Sequence, residues 1–107
     1  MKWKVTYYSD QVTDSVRKWP KKLKAKYLRI VDLIEEHGAQ LGEPLTKQID
    51  KGLFEIRIKA QEGIARALYC YVVDKEIIIL HAFIKKNQKT PANAILLAKK
   101  RMNEVKK

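Results

Sequence analysis

Between Gly52 and Pro91 the chain holds three strand-length runs, 53–60, 64–73 and 76–84, joined only by Gln61-Glu62-Gly63 and Asp74-Lys75. Connections that short allow hairpins and exclude crossovers, so the three runs are expected to form an antiparallel meander. The first run alternates: Phe54, Ile56 and Ile58 point one way, and Glu55, Arg57 and Lys59 point the other. The third run, Ile77 to Ile84, is apolar on both faces, which predicts a central strand covered on both sides.

The flanks supply helices. Residues 2–8 read as a strand rich in β-formers. Ser9 or Asp10 can cap a short helix ending near Trp19. A longer helix is expected from about Pro20 to His37. Its Leu23, Tyr27, Ile30, Val31 and Ile34 share one stripe, and Gly38 serves as a left-handed C-terminal cap. Residues 38–52 show no period and read as a loop. Thr90-Pro91 reads as an N-cap with proline at the first helical position, opening a last helix with Ile95, Ala98, Met102 and Val105 on one side. No repeat or linker interrupts the chain, so one α+β domain over 1–107 is expected: a small, mostly antiparallel sheet, two N-terminal helices and a C-terminal helix.

Charge narrows the function. Lys plus Arg number 23 against 12 acids, a formal net charge of +11, which favours nucleic acid or an acidic partner. Residues 53–107 carry 12 cations and 5 acids, so the excess is greatest where the strands lie. A small sheet gathering Arg57, Lys59, Arg66, Lys85 and Lys86 is a surface for a polyanion, with RNA phosphate the leading candidate. The outer face of the long helix, Lys21, Lys22, Lys24, Lys26 and Arg29, can meet RNA, an acidic partner or solvent alone. Cys70, the one cysteine, sits in an apolar strand and reads as a small core residue, so no disulfide framework is possible. Met-Lys-Trp-Lys-Val has no leader-like apolar segment, and the run Ile77–Leu80 is too short to span a bilayer. A cytoplasmic chain with no membrane partner is expected. No Cys/His cluster, glycine-rich phosphate loop or nucleophile triad motif appears, and no metal or other cofactor is expected.

The runs Gly-Leu-Phe-Glu-Ile-Arg (52–57), Ala-Arg-Ala-Leu-Tyr (65–69) and Leu-His-Ala-Phe-Ile-Lys-Lys-Asn-Gln-Lys-Thr-Pro (80–91), set in the order strand, two helices, meander, helix, resemble the RelE/ParE superfamily of type II toxin–antitoxin toxins. The last run is the most specific and looks like the HigB, or phage Gp49-like, branch. The resemblance implies a ribosome-dependent mRNA endonuclease that needs no metal and is held inactive by a helix-turn-helix antitoxin of HigA type. Carried over by position, Arg57, Arg66 and Lys85 or Lys86 match the family's strand cations. Lys47, Lys59, Gln88 and Lys89 extend the surface as RNA-binding candidates. The chain has no tyrosine in its C-terminal segment, where some RelE-like members place a catalytic one, and has Lys85 where others have histidine.

Metal-free RNA cleavage needs a base for the 2′-OH, cations for the charge growing on phosphate, and an acid for the leaving 5′-oxygen. Arg57 and Arg66 can grip phosphate oxygens but cannot act as bases. Base and acid stay open among His81, Glu55 and a lysine. His81 also reads as a buried strand histidine, Glu55 as a salt-bridge partner of Arg57, and His37 as a helix-end cation. Two other functions fit the same charge: a ParE-like toxin that inhibits DNA gyrase without cutting RNA, and a basic RNA-binding module without catalysis.

Overall fold

Residues 53–85 fold as the meander that their alternation demands. The structure, a computed structural model, describes residues 2–85 and 90–106. In chain order the elements are β1 Lys4–Tyr7, α1 Asp10–Arg17, α2 Lys21–His37, β2 Thr46–Asp50, β3 Leu53–Ala60, β4 Gly63–Val72, β5 Glu76–Lys85 and α3 Ala92–Val105. They build a five-stranded sheet in the order β1-β5-β4-β3-β2. All pairs are antiparallel except β1 with β5. Among the described residues no helix is long and apolar enough to cross a membrane.

The sheet is covered on both faces. On one side α1 and α2 pack Val12, Val16, Leu23, Tyr27, Ile30 and Ile34 against Phe54, Ile56, Ile58, Tyr69, Ile77 and Ile79. On the other, α3 lays Ala94, Ala98 and Met102 on Leu53, Leu68, Cys70, Ile78 and Leu80. The centre of the sheet is β4. The doubly apolar run became β5, one strand in from the β1 edge, and it is doubly apolar because each helical layer takes alternate residues from it.

Two local expectations need correction, and the start of α2 adds a feature the sequence did not announce. Residues 38–52 contain the edge strand β2, whose surface side chains are mostly polar; pairing with β3 defines it, not its own hydrophobic pattern. Its first residue, Thr46, is buried and accepts a hydrogen bond from the Gly42 N–H at 2.7 Å. The start of α2 has no side-chain cap of its own. Glu62, from the β3–β4 turn, accepts from the N–H groups of Lys22 and Leu23 at 3.0 and 3.1 Å. Gly38 does end α2, but at φ 104° and ψ 174°, outside the left-handed helical region and in one open essentially to glycine.

A Cβ added at Gly38 would stand 3.1 Å from the Trp3 indole nitrogen. Backbone strain and this contact act together, so Gly38→Ala should destabilise by about 1–3 kcal/mol. Thermal unfolding should show it as a fall of roughly 4–8 °C per kcal/mol. An unchanged melting temperature would contradict the assigned backbone conformation.

Candidate active site

The basic face is assembled by register. Arg57 on β3 lies directly opposite Arg66 on β4. The Arg57 N–H is donated outward to the Leu45 carbonyl at 2.8 Å, so this rung is a non-hydrogen-bonded one, the kind that brings side chains closest. On β5, a bulge opposite Leu68 inserts one residue. Before it, Ile77 and Ile79 face α2; after it, the odd positions His81, Phe83 and Lys85 face the other way, in register with Leu68, Arg66 and Ile64. The bulge therefore brings Lys85 onto the face of the two arginines.

One carboxylate organises these cations. Glu55, 4% exposed, places Oε1 3.6 Å from Arg57 Nε and 3.7 Å from Arg66 Nε. Its Oε2 accepts the Thr90 hydroxyl at 2.6 Å. Thr90 thus does not cap α3; its side chain is committed to Glu55, and α3 begins without a side-chain cap. The Arg66 guanidinium is 2% exposed and donates to the Ala65 carbonyl at 3.1 Å, with burial and then Arg57 drawing its pKa down. Arg57 stands further out and also pairs with Glu43 at 3.3 Å.

Lys85 completes the group. It is 8% exposed, and its Nζ is sealed from solvent without a hydrogen bond among the described residues. Burial, then the Arg66 charge, lowers its pKa; Glu55 opposes the shift and Arg57 adds to it. A depression of about 250 Å³ opens beside the cluster, lined by Pro44, Arg57, Lys59 and Arg66.

The structure brings together Arg57, Arg66, Lys85, Lys59 and Glu55. Lys47 is exposed on β2, opposite Glu55 in register. Lys86, Gln88 and Lys89 lie outside the described residues. His81 is on the same face but apart: Leu68 stands between it and Glu55, and its ring stacks on Phe83 at 5.1 Å. Burial, and then Arg101, lowers its pKa. Thr90 and Glu43 are the site residues that sequence reasoning missed. Nothing in the chain marks Glu43. Thr90 carried a signal, but its capping pattern pointed elsewhere. Among the described residues no three His, Cys, Asp or Glu side chains gather as metal ligands would.

The match to known proteins agrees with this architecture. A family model described as phage-derived protein Gp49-like (DUF891) covers residues 14–103, and the chain belongs to that family. No curated protein matches it. Among solved structures, a double arginine-to-alanine mutant of the E. coli toxin RelE in the free state superposes with a TM-score of 0.63 at 11% identity, over 98% of this chain and 99% of that one. RelE in the archaeal RelE–RelB complex from Pyrococcus horikoshii OT3 gives 0.58 at 20% identity, over 82% of this chain and 100% of that one. Family and fold agree with the resemblance carried by the runs at 52–57, 65–69 and 80–91: the chain is a Gp49-like family member with a RelE-like fold.

The buried amine yields a test. With its folded pKa below the unfolded value, Lys85 binds fewer protons in the folded state, so its contribution to stability improves as pH rises toward about 10.4. Lys85→Met should then stabilise the protein at pH 7 by about 1–3 kcal/mol, the cost of an unsatisfied buried polar group. The gain should shrink at pH 10. Urea unfolding at both pH values reads it; destabilisation of equal size at both would contradict this description of Lys85.

Proposed function

We propose that this protein is the toxin of a type II toxin–antitoxin module and cleaves translated mRNA on the ribosome. The observation that carries the reading is the convergence of Arg57, Arg66 and Lys85 around Glu55. Two arginines share one buried carboxylate there, the buried Lys85 amine lies within reach of their charges, and Glu43 stands only at the rim. The excess positive charge, next to an open depression, suits a phosphate group.

In this reading Arg57 forms the outer lip and contacts a non-bridging phosphate oxygen. Arg66, held from behind by Glu55, supplies fixed positive charge as the oxygens gain negative charge. Lys85 is the group for proton transfer, a role for which RNA binding must uncover its Nζ. Its lowered pKa brings amine and ammonium closer in energy near neutral pH, which a strand arginine cannot match. As the amine, Lys85 takes the 2′-OH proton while that oxygen bonds to the adjacent phosphorus; as the ammonium it returns the proton to the 5′-oxygen as the P–O5′ bond breaks, so no metal is needed. Glu55 positions the arginines. Lys47 and Lys59, both exposed, extend the phosphate-binding surface. The antitoxin partner is inferred from family and fold, and a HigA-like helix-turn-helix protein is the proposed form; the cytoplasm, with the ribosome and mRNA, is the proposed place of action.

Expression without antitoxin should arrest growth, and primer extension should show cuts within translated messages. Arg57→Ala removes a partly exposed side chain, so it should melt within a few degrees of the parent while losing roughly a hundredfold in cleavage rate. Arg66→Ala is a poorer probe because its guanidinium is buried. Intact mRNA with failing gyrase supercoiling would instead identify a ParE-like inhibitor. Full toxicity in a folded Arg57→Ala variant would move the active site elsewhere.

A further inference from the structure

The cap position of α3 falls on Pro91, whose carbonyl accepts from the Ala94 and Ile95 N–H groups at 3.2 and 3.3 Å. Thr90, one residue earlier, turns its hydroxyl away from the helix and donates it to Oε2 of Glu55 at 2.6 Å, across 35 residues of chain. The other oxygen of that carboxylate, Oε1, faces the arginines, 3.6 Å from Arg57 Nε and 3.7 Å from Arg66 Nε. These are ion-pair separations, too long for hydrogen bonds. Oε1 thus attracts both arginines without gripping either Nε, while the Thr90 hydroxyl occupies Oε2.

We infer that Thr90 is a positioning residue: by engaging Oε2 it stops the Glu55 carboxylate from swinging into a two-oxygen fork on Arg57, and so keeps the Arg57 guanidinium open to a phosphate oxygen. The inference rests on the toxin reading only for the phosphate being that of RNA. Three observations carry it. First, Glu55 and Arg57 stand two apart on β3 and share a face, so a carboxylate with both oxygens released is within reach of the fork that carboxylate and guanidinium favour. Such a fork occupies the same paired nitrogens that bind phosphate. Second, Glu55 is buried, so water does not replace a lost hydroxyl and Oε2 turns to a cation instead. Third, Arg57 is the readier of the two arginines to receive it. Arg66 already donates Nη1 to the Ala65 carbonyl, whereas the outer partner of Arg57 is Glu43, a largely exposed side chain at 3.3 Å. An exposed pair of that kind is weak, and a phosphate displaces it; the inner carboxylate then decides whether Arg57 is available.

The test replaces Thr90 by valine, which keeps the shape and loses the hydroxyl, and by serine, which keeps the hydroxyl. Thr90→Ala serves as a second variant without the hydroxyl, should valine fold poorly. The direct readout needs no RNA. In proton–nitrogen correlation spectra the Arg57 Nε–H signal, assigned by its loss in Arg57→Lys, should move downfield and exchange more slowly in Thr90→Val and Thr90→Ala, while Thr90→Ser restores the parental signal. The functional readout is binding of an RNA carrying 2′-deoxy substitutions that prevent cleavage. Thr90→Val should bind it roughly tenfold more weakly, with a slope of log K against log salt shallower by about 0.7, the loss of one phosphate contact on a single strand. Added to Arg57→Ala, the same change should cost less than about twofold more, because the effect runs through Arg57. A parental Arg57 signal and salt slope in Thr90→Val, whatever the change in melting temperature, would make Thr90 only an anchor for α3 and overturn the inference. Additive losses in the double variant would overturn it as well. If the parent protein binds no RNA, the toxin reading fails and the Arg57 signal still decides this inference; if it cuts RNA and Thr90→Val changes nothing, only this inference is lost.

Discussion

The site depends on one buried carboxylate. The sheet register sets Arg57 and Arg66 opposite each other on a close rung, and two like charges so placed repel. Glu55 stands one same-face position along β3 and reaches both. Its other oxygen holds Thr90, which ties the approach to α3 to the sheet. A single negative charge thus fixes two cations and a chain segment and leaves the cluster positive overall. Breaking such a buried arrangement costs more than forming it returns, so its value here lies in geometry.

The second constraint is the β5 bulge. Unbroken alternation would turn Phe83 and Lys85 into the α1–α2 core. The extra residue at Leu80 shifts the phase, so the first half of β5 feeds both cores and the second half equips the basic face. Lys85 is left buried without a hydrogen-bond partner among the described residues. A fold selected only for stability would not keep an amine there, and strain of this kind concentrates at functional sites. The α2 helix contributes from its edge: its apolar stripe fills the core while Lys26 and Arg29, one side round, overhang β3.

Much of this was legible in the chain. The meander followed from connection lengths and from the alternation of Phe54 to Lys59. The α2 stripe, the two-layer cover and the shared face of Glu55 and Arg57 followed from period alone. The β2 strand was not legible, since its stability comes from partners on β3. Nor was the trans cap by Glu62, which is 39 residues from Leu23 in the chain. Placing His81, Phe83 and Lys85 on the arginine face required the bulge, and no residue type between Ile77 and Lys85 announces one. Arg66 shares its strand face with Leu68 and Cys70, a sign in the chain that it is the more buried of the two arginines, and the ion-paired rung does leave Arg66 buried and Arg57 at the lip.

The most direct measurement of the proposed chemistry is the end groups left on a message incubated with the purified protein and translating ribosomes. Attack by the 2′-OH, with Lys85 exchanging the proton, predicts fragments ending in a 2′,3′-cyclic phosphate or its opened 3′-phosphate, with 5′-hydroxyl partners. A 2′-deoxy residue at the cut position should abolish cleavage, and Lys85→Met should do the same on intact RNA. Fragments with 5′-phosphates, or cuts that persist at a 2′-deoxy position, would contradict the account.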